Sequence, residues 1–428
     1  MTPNPTHLTA CEIVDAVARG ALSPGEVARA FAARVAAREP EVRAFAHFDA
    51  EASVAAAERG QGPLCGLPVA VKDIIDTADM PTAWGATRLA HRRPVRDATL
   101  VARFKAAGGF VLGKAITSQY ALFASGPTTN PHDPARTPGG SSSGSAAAVA
   151  AGFAPVALGT QTNGSIIRPA SYCGVVGFKP TFGVLPRTGV LRHFAPLDQP
   201  GLFAHNIEDT ALVVDALAGA DPEDPDSRDL LGSLRVAARN ETAPRLAWLV
   251  DPYAARAEPT TQAALTAFVA SLPLVVERLD LGRPFGRAEA VMRVLMSAGF
   301  AQSLGAEIDA EGEAAAEVLR ATLAYGRGLS GMELTAALVE RDALRARAKA
   351  ALVPYDAVLT FASTGEAPLR AAGTGDPIFA TLASLIGAPA YSLPLLTGPN
   401  GLPIGVQIFA APGADAALTR AAGWLMRR

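Results

Sequence analysis

The sequence predicts an α/β layered fold, and three observations lead to that prediction. Short apolar runs typical of buried strands alternate with segments that have helical spacing and helix-capping residues. Hydrophobic residues make up 49% of the 428 residues and charged residues only 18%, which is typical of a compact folded chain. Strand-like runs also return near the C-terminus, so early and late strands can share one sheet.

Two helices are predicted at the start of the chain. Thr9 with Glu12 and Ser23 with Glu26 each have the spacing of a capping box, in which a hydroxyl and a carboxylate satisfy the first free amides of a helix. The apolar spacing of the second helix continues to about Arg38.

Strand and helix alternate through the next segment. Residues 67–75 form an apolar run that predicts a buried strand, and 110–113 predict another. Between them, Asp97 is expected to cap a helix that continues to Ala107. Residues 125–145 have no apolar periodicity and predict a long loop, and loops of this length in compact enzymes are usually functional.

The rest of the chain is predicted to extend the same sheet. A small-residue helix at 146–151 and a strand at 156–158 follow the loop. Polar residues at 221–242 indicate a surface connection, and helical segments occupy about 258–350. Further strands are predicted at 357–360, 390–394 and 405–408. We therefore expect one domain over 1–428, with a motif core at about 66–181 and a helical, pocket-forming excursion at about 245–350.

Charge and cysteine content exclude several classes of protein. The net charge of −2 gives no electrostatic basis for binding nucleic acid or an anionic membrane. Three scattered cysteines, Cys11, Cys65 and Cys173, do not predict a disulfide framework or a zinc site. No leader is recognised at the start, and no apolar run is long enough to cross a bilayer, so a cytoplasmic protein is expected.

Lysine is rare in this chain, which makes Lys72 informative. Only 5 of the 38 basic residues are lysines, so arginine supplies most positive charges. Lys72 nevertheless ends an apolar strand-like run. Lysine can lose its proton in such surroundings and arginine cannot, so Lys72 is a candidate base. A salt bridge to Asp73 or Asp76 is the structural alternative.

Three motifs follow one another in the order and spacing of a known family. They are Gly66-Leu-Pro-Val-Ala-Val-Lys-Asp73, the Gly-Gly-Ser-Ser-Ser loop at 139–143, and Thr162-Asn-Gly-Ser165. With Gly177-Phe-Lys-Pro-Thr181 and Gly401-Leu-Pro-Ile-Gly-Val-Gln407, the chain resembles the amidase signature family over most of its length. The resemblance implies an α/β/α sandwich with a large mixed central sheet and a Ser–Ser–Lys triad.

The resemblance also implies a role for each motif residue. Ser165 would attack an amide carbonyl, and its proton would pass through Ser141 to neutral Lys72. A cis peptide is implied between Gly140 and Ser141, with Ser142 hydrogen-bonded in support. Backbone amides of the turn would stabilise the oxyanion, and they belong to Thr162, Asn163, Gly164 and Ser165.

Other roles are open for these residues. Ser165 could cap a helix, since serine is a common N-cap. The Gly/Ser loop could be a linker or a phosphate cradle, although no P-loop spacing is present. The segment Gly140-Ser-Ser-Ser-Gly144 formally matches a nucleophile elbow centred on Ser142, but the preceding prolines exclude the strand that such an elbow needs.

The third motif departs from the commonest family pattern. Gln161 replaces an aspartate, Asn163 a glycine and Ile167 an arginine, which suggests that a buried ion pair was removed as a unit. This variant resembles the malonamidase-like branch of the family. Arg168, three residues after Ser165, is expected to bind a substrate carboxylate or to pair with a structural acid, and Thr160 is expected to contact the substrate.

The sequence therefore predicts an amidase that hydrolyses a small carboxamide, requires no metal or organic cofactor, and forms a homodimer. Two alternatives stay open. The chain could be the amidase component of a glutamine-dependent tRNA amidotransferase, or a catalytically inactive scaffold.

Overall fold

The computed structural model describes residues 4–428, which form 14 α-helices and 11 β-strands. The helices are α1 (Ala10–Ala18), α2 (Pro24–Val42), α3 (Ala50–Arg59), α4 (Thr99–Ala106), α5 (Ser143–Ala150), α6 (Ile167–Cys173), α7 (Ile207–Leu217), α8 (Leu234–Arg239), α9 (Pro259–Ser271), α10 (Ala288–Glu311), α11 (Glu317–Gly328), α12 (Gly331–Leu352), α13 (Ile378–Leu385) and α14 (Asp415–Met426). The strands are β1 (Phe45–Phe48), β2 (Pro68–Lys72), β3 (Phe110–Ala115), β4 (Val156–Gln161), β5 (Val176–Lys179), β6 (Gln199–Ala204), β7 (Leu246–Leu249), β8 (Val276–Leu279), β9 (Ala357–Phe361), β10 (Ala390–Thr397) and β11 (Pro403–Phe409).

All 11 strands belong to one mixed sheet, in the order β1-β3-β2-β4-β6-β5-β10-β11-β9-β7-β8. Parallel pairs join β3 to β2, β2 to β4, β9 to β7 and β7 to β8. The pairs between them are antiparallel. Because β2 and β4 are parallel neighbours, their carboxyl ends meet at one edge of the sheet, where residues of the predicted triad lie.

Both faces of the sheet are covered, because successive side chains of a strand point to opposite faces. In β2, Val69 and Val71 pack in a cluster with Phe104 of α4, whereas Ala70 packs in a second cluster with Phe31 of α2. Similar alternation in β9 places Val358 in a third cluster with α10–α13. The predicted α/β/α sandwich with a large mixed sheet is confirmed.

Two of the predicted helix starts are confirmed, and a third is wrong. Both capping boxes are confirmed, and α2 extends beyond Arg38 to Val42. The prediction that Asp97 caps a helix is wrong: α4 begins at Thr99 after Ala98, and the Asp97 carboxylate accepts from the Ala78 amide and pairs with Lys105. Asp97 therefore anchors two surrounding segments.

The predicted helical excursion also contributes to the sheet. Within about 245–350, β7 and β8 form one edge of the sheet, and α9 to α12 supply the helical part. In β8 the buried and exposed residues do not alternate, so the sequence has no period-two hydrophobic pattern that would predict this strand. The organisation as a single domain stays a prediction. Among the helices of the described residues, none combines the length and apolarity needed to cross a membrane.

Candidate active site

Lys72 lies at the carboxyl end of β2 and is fully buried. Its Nζ is 2.8 Å from Ser141 Oγ and 2.9 Å from Thr160 Oγ1. Burial holds the pKa of Lys72 well below its ordinary value; the Asp198 charge opposes this effect and the Arg168 charge adds to it. The amine is therefore neutral over a pH range in which a solvated lysine is charged.

The alternative in which Lys72 forms a salt bridge with a neighbouring aspartate is wrong. The Asp73 carboxylate accepts from the Ala83 amide, and Asp76 pairs with Arg92 at 2.8 Å. No carboxylate lies within salt-bridge distance of Lys72 in the part of the chain that the structure describes. The amine instead hydrogen-bonds to two hydroxyl groups.

The Gly-Gly-Ser-Ser-Ser loop at 139–143 contacts Lys72, and its backbone is closely packed. The peptide between Gly140 and Ser141 is cis, as the resemblance implies. A Cβ on Gly144 would lie 2.2 Å from the Ala44 carbonyl oxygen, so only glycine fits there. The loop ends at Ser142 and α5 starts at Ser143, three residues earlier than the predicted loop at 125–145 implies. This packing fixes the position of the Ser141 hydroxyl.

Ser142 supports the site through a different contact from the one expected. Its hydroxyl donates to the Thr160 carbonyl oxygen at 3.2 Å and accepts from the Thr160 amide at 3.3 Å. It thus ties the start of α5 to β4 and makes no side-chain hydrogen bond to Lys72 or Ser141 within residues 4–428. The Thr160 hydroxyl accepts from Lys72, and the expected contact of Thr160 with substrate stays a prediction.

The turn after β4 presents free backbone amides. Those of Thr162, Asn163, Gly164 and Ser165 donate no hydrogen bond to another group in residues 4–428. Ser165 is half-buried and lies before α6, whose N-cap is Ile166. The alternative role of Ser165 as an N-cap is therefore wrong, and the turn keeps its amides available.

Gln161 holds this turn in place. Its Oε1 accepts from the amides of Ile166 and Ile167 at 2.8 and 3.0 Å. Its Nε2 donates to Ser384 Oγ at 2.9 Å, and that hydroxyl donates in turn to the Asn163 carbonyl oxygen. The departure from the family pattern is visible in the sequence, but its function depends on Ser384, which is distant in the chain.

Arg168 is fully buried and incompletely paired. Its Nη2 donates to the Gly140 carbonyl oxygen at 2.6 Å and to Thr374 Oγ1 at 3.3 Å. Its Nε and Nη1 have no hydrogen-bond partner among the described residues. Burial lowers its pKa to about 10. No carboxylate within 4–428 forms a salt bridge with Arg168, so pairing with a structural acid is not what the structure shows.

Comparison with known proteins identifies the family. A profile of the amidase family matches residues 26–419. The chain belongs to the amidase signature family. It is accordingly an enzyme that acts on carbon–nitrogen bonds.

Curated and solved relatives agree with this assignment. The A subunit of glutamyl-tRNA(Gln) amidotransferase from Thermus thermophilus is 36% identical over 457 aligned positions, which cover 97% of this amidase and 96% of that protein. Its counterpart from Chloroflexus aurantiacus is 43% identical over 233 residues, but the match spans only 51% of this chain and 48% of that one. A solved protein from a vestigial complex, described as revealing the origins of an s-triazine catabolic enzyme, has a TM-score of 0.91 and 29% identity over 98% of both chains.

The amidase has a large cleft beside the amide turn, which is the turn at 162–165 after β4. The cleft has a volume of about 880 Å³ and is formed mainly by α10, α11 and the loop at 372–377. Asn163 lines it from the turn, and Arg256 at its wall pairs with Glu289 and Asp376. Most of this lining lies in the region where the sequence had the fewest motifs.

Asp198 and His193 line a second, smaller cavity together with Thr162 of the turn, and no motif in the sequence indicated either residue. Asp198 is buried, and its Oδ1 accepts from the Thr162 hydroxyl at 2.5 Å. The His193 ring contacts the Tyr120 carbonyl oxygen, and burial lowers its pKa. Asp198 is brought to Thr162 by the antiparallel pairing of β4 with β6, which no local motif reports.

Proposed function

We propose that this amidase hydrolyses a carboxamide through an acyl-enzyme on Ser165, with Ser141 and Lys72 as the proton relay. The observation that carries the proposal is the 2.8 Å contact of the buried Lys72 amine, whose pKa is lowered by burial, with the Ser141 hydroxyl. The free amides of the neighbouring turn supply the donors that a tetrahedral oxyanion needs.

In this mechanism each step conserves atoms and charge. Ser165 Oγ attacks the carbonyl carbon while its proton moves to Ser141 and the Ser141 proton moves to Lys72. The C–N bond then breaks, and the proton returns through Ser141 to the leaving nitrogen, which departs as ammonia. Water attacks the Ser165 ester by the same relay and releases the carboxylic acid.

The substrate class is proposed from Arg168. A buried guanidinium whose Nε and Nη1 have no partner among the described residues is costly, and a carboxylate of the substrate would neutralise its charge and accept from one of these nitrogens. Arg168 lies behind the wall of the cleft, against two lining residues: its Nη2 contacts Thr374, and its guanidinium lies 5.8 Å from the centre of the Phe123 ring. We therefore favour a small amide that also carries a carboxylate, which agrees with the malonamidase-like branch.

Arg168→Lys tests that substrate class. Lysine keeps the charge but loses the planar fork, so kcat/KM for an acidic amide should fall by about 1.5–3 kcal/mol in transition-state free energy. A neutral amide of similar size should be nearly unaffected. Equal losses on both substrates would mean that Arg168 supports only the fold, and the acidic-amide proposal would then be withdrawn.

A second candidate function is that of the A subunit of a glutamyl-tRNA(Gln) amidotransferase. The observation that favours it is the similarity to curated proteins of that function, one of which aligns over 97% of this chain. In that case the ammonia would pass to a protein partner instead of being released into solvent. The net charge of −2 gives this chain alone no basis for binding tRNA, so a partner would have to do so.

Ammonia release from a panel of amides tests both candidates. The panel contains glutamine, acidic monoamides, and neutral aryl and alkyl amides, with Ser165→Ala protein as the control. Release from the monoamides by the isolated chain supports the small-amide amidase. Release from glutamine only, together with co-purification of a second protein on the tagged chain, supports the amidotransferase function. If no ammonia is released from any amide, with or without a co-purified protein, the chain is a catalytically inactive scaffold.

A further inference from the structure

Asp198 is held on one side of the amide turn by three donors. Its Oδ1 accepts from the Thr162 hydroxyl at 2.5 Å, and its Oδ2 accepts from the amides of His193 and Phe194 at 2.7 and 2.9 Å. Charge-assisted hydrogen bonds of this kind are roughly twice as strong as neutral ones. Asp198 therefore fixes Thr162, the first residue of the turn, relative to the segment that precedes β6.

Asp198 is too enclosed to touch a substrate. Between it and the relay lies a cavity of only about 10 Å³, lined among others by Ser141, Thr160, Thr162 and His193. A space of this size holds at most one water molecule. Any effect of Asp198 on the reaction must therefore act through Thr162 or through its charge.

Asp198 shares the small cavity with Ser141 and Thr160, whose hydroxyls contact the Lys72 amine. Burial lowers the pKa of Lys72, and the negative charge of Asp198 acts against that decrease. Burial raises the pKa of Asp198 itself, while His193 and the Thr162 hydroxyl lower it. Above that raised pKa the carboxylate is ionised and can stabilise the ammonium that forms when Lys72 takes a proton.

Other charged and titratable groups also lie near Asp198 and Lys72. The charge of Arg168 on α6 lowers the pKa of Lys72 and so disfavours its protonation. Arg187, which also lines the small cavity, pairs with Asp224 and Asp226 at 2.6 Å, and Arg192 lies 4.0 Å from Asp224. Burial lowers the pKa of His193, whereas the Asp198 charge raises it. Asp198 is left as the carboxylate that acts on Lys72.

We propose that Asp198 is a positioning residue of the same reaction, which holds Thr162 at the start of the amide turn and whose charge acts on Lys72 across the small cavity that Asp198 shares with Ser141 and Thr160, the two hydroxyl partners of that amine. This inference rests on the proposed amide hydrolysis. It predicts two separable effects, one on the turn and one on Lys72.

Two variants separate the effects. Asp198→Asn removes the charge at nearly constant size, whereas Thr162→Val removes the hydroxyl and keeps the charge. Both should reduce kcat by about 10–100-fold with little change in KM, which is the usual effect of losing a group that orients catalytic residues. Only Asp198→Asn should move the acidic limb of the pH profile of kcat/KM to lower pH.

The pKa of Lys72 can be measured without any substrate. The chain has 5 lysines, so lysine labelled with 13C at Cε gives few NMR signals, and a Lys72→Met sample assigns the signal of interest. In Asp198→Asn the Lys72 signal should titrate lower than in wild type by about 1 pH unit or more. In Thr162→Val it should titrate as in wild type.

The outcomes distinguish this inference from the proposed function. An unchanged Lys72 titration in Asp198→Asn, or a kcat within about twofold of wild type in both variants, overturns the positioning role. If Asp198→Asn does not fold, Asp198→Ser provides the same test of the charge, and Thr162→Val still tests the turn. Absence of activity in the wild type would refute the proposed function and leave the NMR result to decide the electrostatic contact.

Discussion

The carboxyl ends of β2 and β5 each carry a fully buried lysine, and the two differ in the groups that they contact. Lys72 on β2 contacts the hydroxyls of Ser141 and Thr160. Lys179 on β5 donates to Gln199 Oε1 at 2.8 Å, to the Pro180 carbonyl oxygen at 3.2 Å and to the Ala388 carbonyl oxygen. Both amines are shielded from water to the same extent.

Burial alone does not make a lysine part of a proton relay. Burial lowers the pKa of Lys179 to about 7 and that of Lys72 well below its ordinary value. However, the oxygens around Lys179 only accept hydrogen bonds, so they cannot pass a proton onward. A hydroxyl donates and accepts at once, and this property makes the Lys72 surroundings suitable for proton transfer.

Replacing each lysine by methionine should give the largest difference between the two regions. Lys72→Met should lower kcat by about 10²–10⁴-fold, because a general base is lost. Lys179→Met should leave kcat nearly unchanged and lower the free energy of unfolding by about 1–3 kcal/mol, since its oxygen partners lose their donor. Steady-state kinetics and urea unfolding of both variants check this. A comparable loss of kcat in Lys179→Met would remove the distinction.

The serine beside Lys72 provides the second comparison. Ser141→Ala should reduce kcat/KM by about 2.7–4 kcal/mol if the relay matters as much as a lost oxyanion donor. Ser145→Ala is the matched control, because Ser145 is equally buried on α5 but only donates to the Leu158 carbonyl oxygen at 2.9 Å. Measuring kcat/KM of the two variants at one pH tests this prediction. Equal losses would show that the decrease reflects disturbed packing around α5 and not the loss of the relay.

The pH dependence of activity also distinguishes Lys72 from Lys179. Because the neutral amine is the base, kcat/KM should rise as Lys72 loses its proton and should level off well below pH 10.5. Lys179→Met should keep this acidic limb, although the pKa of Lys179 is about 7. A limb that disappears in Lys179→Met belongs to Lys179, and activity that falls above neutral pH would contradict a neutral lysine base.

Much of the candidate site could be predicted because its motifs are local. Lys72, Ser141 and the amide turn stand out by residue type and spacing, and the structure brings Lys72 and Ser141 into contact. The α/β fold class could be predicted because strand-like and helix-like patterns alternate along the chain, and these patterns are local too. Such patterns indicate the type of each segment and the order of the motifs.

The unpredicted features all depend on contacts between distant segments. Gln161 holds the turn through Ser384 on α13, and Asp198 meets Thr162 only because β4 pairs with β6. The shape of the cleft depends on how α10 and α11 pack against the 372–377 loop. No spacing in a single sequence reports such contacts, so the substrate and the supporting residues could not be derived from the sequence.

The central claim is that Ser165 carries the acyl group. The most direct measurement mixes the enzyme with an activated ester or amide that turns over, quenches with acid within milliseconds to seconds, and locates the added mass by peptide mass spectrometry. We expect an acyl group on the peptide containing Ser165, absent in Ser165→Ala and slower to form in Lys72→Met. An acyl group on Ser141 or Ser142, or turnover with no covalent intermediate in any time window, would contradict this claim.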